Sequence, residues 1–270
     1  MIPKKKEGDF VIVHATDLLP DGQKGLEHGI ALARETGGRL ISLHASKEKV
    51  KGPRPDVSAV LAKWPESKQE VEHFLMVHEE STNPGNIVRE AMETVEADLL
   101  VVSTRQYKAP KPGFRSSVSE IAALDGGVPT LVVHVGEAGM IGEDGELRLR
   151  RILVPIGDGE EGRDAIQGLT KFLDRLGATD VDIFLFRVGD DEILEYVMTP
   201  ERKGWRWHRE ARTNITVADG VTRACEEKEI DLVVMATRGQ DGVIDVLNGT
   251  HTQNVIRRTP RTILVVPVNE

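Results

Sequence analysis

The stretch Asp98-Leu-Leu-Val-Val-Ser-Thr-Arg105 returns as Asp231-Leu-Val-Val-Met-Ala-Thr-Arg238, and Leu131-Val-Val133 returns as Leu264-Val-Val266, both at a separation of 133 residues. A short apolar run opened by an acid and closed by polar residues reads as a strand covered on both faces, the kind a parallel sheet contains. Its recurrence makes the 270-residue chain two copies of one domain, each long enough to bury its own core. The same offset lays Gln106 over Gly239 and Ser116-Ser117 over Gly249-Thr250. The glycines that would let a backbone close on phosphate therefore stand only in the second copy.

Working outward from that repeat, apolar runs rich in Val, Ile and Leu alternate with longer segments of helical period. The first half reads as strands at Phe10–His14, Leu40–His44, Phe74–His78, Leu99–Val102 and Thr130–His134, with helices at Asp21–Thr36, Asn86–Glu96 and Ser117–Leu124. The second half reads as strands at Arg151–Pro155, Val181–Phe186, Leu232–Met235 and Thr262–Val266. Its third strand, between Gly204 and Ala211, has the least regular pattern. Between Ser46 and Ser67 the first half carries extra residues, with Gly52-Pro-Arg-Pro55 and Trp64-Pro65, which predict a loop or short helical insertion. Gly136-Glu-Ala-Gly-Met-Ile-Gly-Glu-Asp-Gly145 has neither period and predicts a linker. The expected division is a first domain over 1–136, a linker over 137–147 and a second domain over 148–270. Because parallel strands need right-handed crossovers, the fold class expected is α/β, with two doubly wound, Rossmann-like, five-stranded parallel sheets whose ligands bind beyond the strands' carboxyl ends.

Composition narrows the function. No apolar run approaches the roughly 20 residues that cross a bilayer, and Met1-Ile-Pro-Lys-Lys-Lys6 is followed by Glu7, Gly8 and Asp9 rather than a signal-peptide core. The expectation is a cytoplasmic protein without a membrane partner. A lone Cys225 forms no intrachain disulfide and reads as a buried structural thiol. A formal charge of -9 argues against nucleic acid. The basic and aromatic run Arg202–Arg209 reads as a strand edge with alternating rings and solvated charges.

The segment from Met235 to Thr252 leaves a buried strand, passes Ala236, Arg238, Gly239, Gly249 and Thr250, and opens a helix over about Thr252 to Arg258. Free amides and the positive dipole end at a helix start make an anion site, and the Thr250 and Thr252 hydroxyls add donors. A triphosphate tail suits such a cradle. In the first half Gln106 fills the approach, and Pro110 and Pro112 stiffen the loop and remove two donors.

These residues resemble the signature of the universal stress protein family, Gly-x2-Gly-x9-Gly followed by Ser or Thr, here Ala236-x2-Gly239-x9-Gly249-Thr250. Ala15-Thr-Asp17 with Gly25 downstream is similar to the family's first strand-helix junction, and Asp158 holds the corresponding place in the second half. The resemblance implies a tandem member arranged as an intrachain pseudo-dimer through the last strands, with further pairing into a homodimer left open. It implies ATP, or ADP or AMP, with Mg²⁺ as a candidate companion, bound in the second half by Asp158, Val188, Met235, Ala236, Arg238, Gly239, Gly249, Thr250, His251 and Thr252, with the Val188 backbone against adenine.

Alternatives accompany several of these residues. Asp158 holds ribose or magnesium, or caps the next helix; Arg238 meets phosphate or extends from a loop; His251 meets phosphate or is a solvated helix-start residue. His14, His44, His78 and His134 stand near strand ends, but no short ligand spacing such as His-x3-His supports a metal. No Ser-His-Asp or Cys-His order indicates assembled catalysis. The leading expectation is a nucleotide-dependent stress sensor with unidentified protein partners and at most slow ATP hydrolysis; the rivals are a nucleotide-free scaffold and a hydrolase using Asp158 or His251 as base.

Overall fold

The computed structural model describes residues 2, 4–18, 22–49, 54–64, 70–81, 83–105, 127–136, 139–237 and 251–268. The chain divides into two compact units: of the described residues, the first includes those up to 148 and the second those from 149 onward.

In the first unit, β1 (Val11–Ala15), β2 (Arg39–Ala45), β3 (His73–His78), β4 (Leu99–Arg105) and β5 (Thr130–Val135) form a parallel sheet in the order β3-β2-β1-β4-β5. Its helices are α1 (Gln23–Thr36), α2 (Val57–Leu61) and α3 (Pro84–Val95). The extra residues of this half thus include a short helix, started by Asp56, whose carboxylate accepts from Ala59 N–H at 2.9 Å. Pro84 sits in the first turn of α3, where its missing N–H is harmless, behind the Asn83 cap.

The second unit repeats the plan with β6 (Arg151–Pro155), β7 (Val181–Val188), β8 (Trp205–Arg212), β9 (Leu232–Thr237) and β10 (Thr262–Pro267), in the order β8-β7-β6-β9-β10. Its helices are α4 (Glu161–Leu176), α5 (Glu192–Glu195), α6 (Val217–Glu227) and α7 (His251–Arg258). The expected third strand of this half is β8, which pairs along its whole length with β7. Arg206 grips Asp182 with two bonds of 2.9 and 2.7 Å and Asp180 with a third of 2.8 Å, so the basic run is largely neutralised. The expected helix at Ser117–Leu124 lies outside the described residues.

The repeated acid has the same task in both units. Asp98 Oδ2 accepts from Val11 N–H at 2.7 Å while its own N–H donates to the Val11 carbonyl at 2.8 Å. Asp231 Oδ2 likewise accepts from the N–H groups of Arg150 and Arg151 at 2.8 Å, and its N–H donates to the Arg151 carbonyl at 2.8 Å. Each carboxylate ties the entrance of one central strand to the other, fixing the register on which the carboxyl ends depend.

The glycine-rich segment expected to be a linker packs onto the first unit. Met140 is fully buried, and its N–H donates to Nε2 of buried His28 at 3.2 Å. Ile141 and Leu147 form an antiparallel bridge, Gly142 N–H donates to the Glu146 carbonyl at 2.9 Å, and Gly145 turns the chain with φ of +81°. A Cβ on Gly145 would stand 2.2 Å from the indole of Trp64. The glycines that look like slack in the sequence are what a tight fold-back against an aromatic ring requires. Among the described residues no helix is long and apolar enough to cross a membrane.

Two predictions follow from this packing. Gly145→Ala combines a left-handed backbone with overpacking against Trp64, and a loss of about 2–4 kcal/mol is expected in urea denaturation followed by circular dichroism; an unchanged midpoint would contradict the tight fold-back. His14 and His28 are both pushed by burial from 6.5 to about 4. The unfolded chain therefore binds protons first as pH falls. Stability is full above about pH 6.5, declines by on the order of 3 kcal/mol per histidine towards pH 4, and is flat below. His28→Gln should be less stable at neutral pH yet show a shallower decline in urea midpoint on acidification.

Candidate functional site

The two units differ in pairing at their strand-order reversals. β6 and β9 are in register only at Ile152↔Leu232 and Leu153↔Val233. In the first unit the equivalent strands, β1 and β4, stay paired for four residues, from Ile12↔Leu99 to Ala15↔Val102. The position of Ala15 is held in β6 by Pro155, which has no N–H to donate, and β6 leaves β9 early. β9 continues alongside β10 as far as Thr237↔Pro267. The carboxyl ends of β6 and β9 flank the reversal of strand order, where a doubly wound sheet receives its ligands.

Met235 and Ala236 line β9 at this end, opposite Val265 and Val266 of β10, and both are buried. Arg238, Gly239, Gly249 and Thr250 lie outside the described residues. The helix that follows them, α7, begins at His251, one residue earlier than its expected start. His251 and Thr252 thus belong to the first turn of an eight-residue helix. Val255 and Ile256 bury that helix's inner face, and Arg258 pairs with Asp219, the residue whose N–H bonds the Thr216 cap of α6.

Val188 ends β7, opposite Arg212 of β8. Its side chain packs under Gly220 of α6, where a Cβ would lie 2.8 Å from Val188 Cγ2. Gly189 then turns the chain away with φ of +142° while its N–H donates to the Arg212 carbonyl at 2.9 Å. The backbone at Val188 is consequently held from two sides.

Asp158 does not cap the next helix: the N-cap of α4 is Glu160, with no side-chain cap bond. Instead its Oδ1 accepts from Nη2 of Arg187 at 2.5 Å. The Arg187 side chain is only 7% exposed against 87% for Asp158, so a buried cation holds an exposed carboxylate at the rim. Arg187 Nε also donates to the Asp190 carbonyl at 2.8 Å, which fixes the guanidinium between the loops after β6 and β7. Arg187 was not among the residues expected from the sequence. Its signal was a cation within an otherwise apolar strand, between Phe186 and Val188. The register gives its counterpart in the first unit as His44, whose Nδ1–H donates to the Thr16 carbonyl at 2.8 Å. Both side chains brace the loop after the first strand of their unit.

The remaining titratable residues play other parts. His14 and His44 are buried with different partners, whereas His78 is exposed. Among the described residues no cluster of three or more His, Cys, Asp or Glu could hold a metal ion. Cys225 is buried in α6, and that burial pushes its thiol up to about 12.

Similar solved structures include a universal stress protein from Archaeoglobus fulgidus DSM 4304, 17% identical, covering 95% of this chain and 98% of that one with a TM-score of 0.62. A functionally unknown protein from Pseudomonas aeruginosa PAO1 is 14% identical and covers 95% and 92% of the two chains with a TM-score of 0.59. These are likenesses of fold. No curated protein matches the sequence. The profile of the universal stress protein family matches residues 11–134 and 201–267, more than half of the chain. The two units, their strand order and that match together mean that this chain belongs to the universal stress protein family.

Proposed function

We propose that the second unit binds an adenine nucleotide, ATP or ADP or AMP, in the crevice between β6 and β9, and that the chain acts as a cytoplasmic stress-response sensor whose occupancy alters a surface offered to protein partners. The observation that carries this reading is the strand-order reversal at β6 and β9, where the ladder is shortened to two pairs, in the unit that owns Gly239, Gly249 and Thr250. The polyphosphate would meet the amides of the glycine-containing segment and of the first turn of α7, with Thr250 and Thr252 as added donors. The braced Val188 backbone suits a flat base, and Asp158 suits ribose hydroxyls. Arg187 already matches the charge of Asp158. That favours a hydroxyl over Mg²⁺ at this carboxylate, leaving the cation to the phosphates.

A nucleotide-free scaffold is the second reading, and Tyr196 and Met198, exposed by 81% and 88%, favour a surface that meets another protein. Calorimetric titration with Mg-ATP, together with assay of small molecules released by heat denaturation, separates the two. Nucleotide retained by the wild type and lost in Gly239→Gln supports the sensor. A wild type that neither releases nor titrates nucleotide hands the role to the scaffold.

Two finer outcomes are expected in the same titration. Asp158→Asn removes the ionic acceptor for ribose, and affinity should fall about ten-fold, the worth of one charge-assisted hydrogen bond. Ala236→Gly removes one methyl beside the crevice and should leave affinity equal or a few-fold tighter, because Ala236 already fits its pairing with Val266; a large loss would show the methyl to be a contact.

A further inference from the structure

The first unit contains a cavity that the nucleotide reading does not use. It lies between the carboxyl end of β1, the start of α1 and the short helix α2, with a volume of about 190 Å³. This is more than the roughly 150 Å³ in which an apolar protein cavity holds a benzene ring. Leu18, Leu26, Pro55 and Val60 supply apolar walls, and Arg54 stands at the rim.

His14 lines this space although it is only 1% exposed, and its Nε2 makes no hydrogen bond. A buried ring nitrogen without a partner is uncommon and asks for a ligand. Its chemistry is set from behind. Ser42 Oγ stands 3.4 Å from His14 Nδ1 and 2.9 Å from Nε2 of His73. With His73 Nε2–H donating to Ser42, and the Ser42 hydroxyl donating to His14 Nδ1, the remaining nitrogen of His14 carries the proton and presents a donor.

Two further features select the sign of the occupant. α1 has fourteen residues, its N-cap is Gly22 without a side-chain cap bond, and its first turn holds no acidic residue. The positive end of its dipole therefore faces the cavity, and the acid that stands near it is Asp17, whose Oδ1 lies 3.5 Å from where a Gly22 Cβ would be. Arg54 is exposed and has no partner among the described residues. The one acid on the lining, Asp56, is committed to the first turn of α2 through Ala59 N–H.

We infer that this cavity is a binding site for a small organic carboxylate of about benzoate size. The carboxylate meets the start of α1, Arg54 and the His14 Nε2–H group, and the apolar body rests against Leu26 and Val60. The site is in the unit that lacks the glycine cradle and is separate from the proposed nucleotide crevice.

The test is calorimetric titration of the full chain with benzoate, with benzyl alcohol, which keeps the ring and lacks the charge, and with inorganic phosphate, which has charge and no ring. Benzoate should bind at least ten-fold more tightly than either. Arg54→Gln, at an exposed position, should weaken benzoate about ten-fold, in keeping with the loss of a hydrogen bond to a charged group. Ala59→Phe should fill the cavity and abolish binding while the melting temperature is retained. Gly239→Gln should leave benzoate binding unchanged, so that failure of the nucleotide proposal and failure of this one are distinguishable. Absence of benzoate binding overturns the inference. So does equal binding of phosphate, or benzoate binding indifferent to both Arg54→Gln and Ala59→Phe.

Discussion

A parallel sheet that winds in two directions from its centre has one place where neighbouring strands send their chains to opposite sides, and no helix can cover the gap between them. Everything that distinguishes the two halves of this protein concerns how that gap is shaped. In each half an aspartate, Asp98 or Asp231, locks the entrances of the two central strands together. With the entrances fixed, the sequence at the exits alone decides how far the strands stay joined. The ladder between them has two register pairs in the unit with Pro155, which lacks an N–H to donate, and four in the unit with Ala15.

The residues around the gap have diverged along consistent lines. Where the first unit braces its first loop with an imidazole, His44 on the Thr16 carbonyl, the second uses a guanidinium, Arg187 on Asp158. The second arrangement keeps a carboxylate in a fixed position at the rim while burying the cation that balances it. The first unit has placed its unusual polar groups on another layer, beneath α1, where His14, Ser42 and His73 cross the strands as a connected row. Gly25 makes that row possible, because a Cβ there would lie 2.6 Å from Ser103 Oγ and 3.0 Å from His14 Nε2.

Much of the fold was legible because strands covered on both faces are written as unbroken apolar runs, and Leu99–Val102 and Leu232–Met235 carry little else. β8 was harder to place. Trp205, Trp207 and the intervening arginines give alternation without a continuous apolar side, since the strand is held by ion pairs to Asp180 and Asp182 and by Trp205 Nε1–H donating to the Ala178 carbonyl at 2.8 Å. The packing of the stretch around Gly145 was not legible because glycine marks slack chain and tight turns alike, and only the distant Trp64 tells them apart. The strand-end positions of Met235 and Ala236 were legible from the repeat, and that of Val188 from the family resemblance. Arg187 was not, since a cation in an apolar run gains meaning only from its partner 29 residues away.

The single thiol of this protein carries a consequence for the kind of signal it can register. Chemical sensing by sulfur begins with a thiolate that an oxidant can reach. Cys225 is sealed in the face of α6 and held protonated, its pKa at about 12. Peroxide or electrophiles would pass it by, and the folded protein has no cysteine-based redox switch to throw.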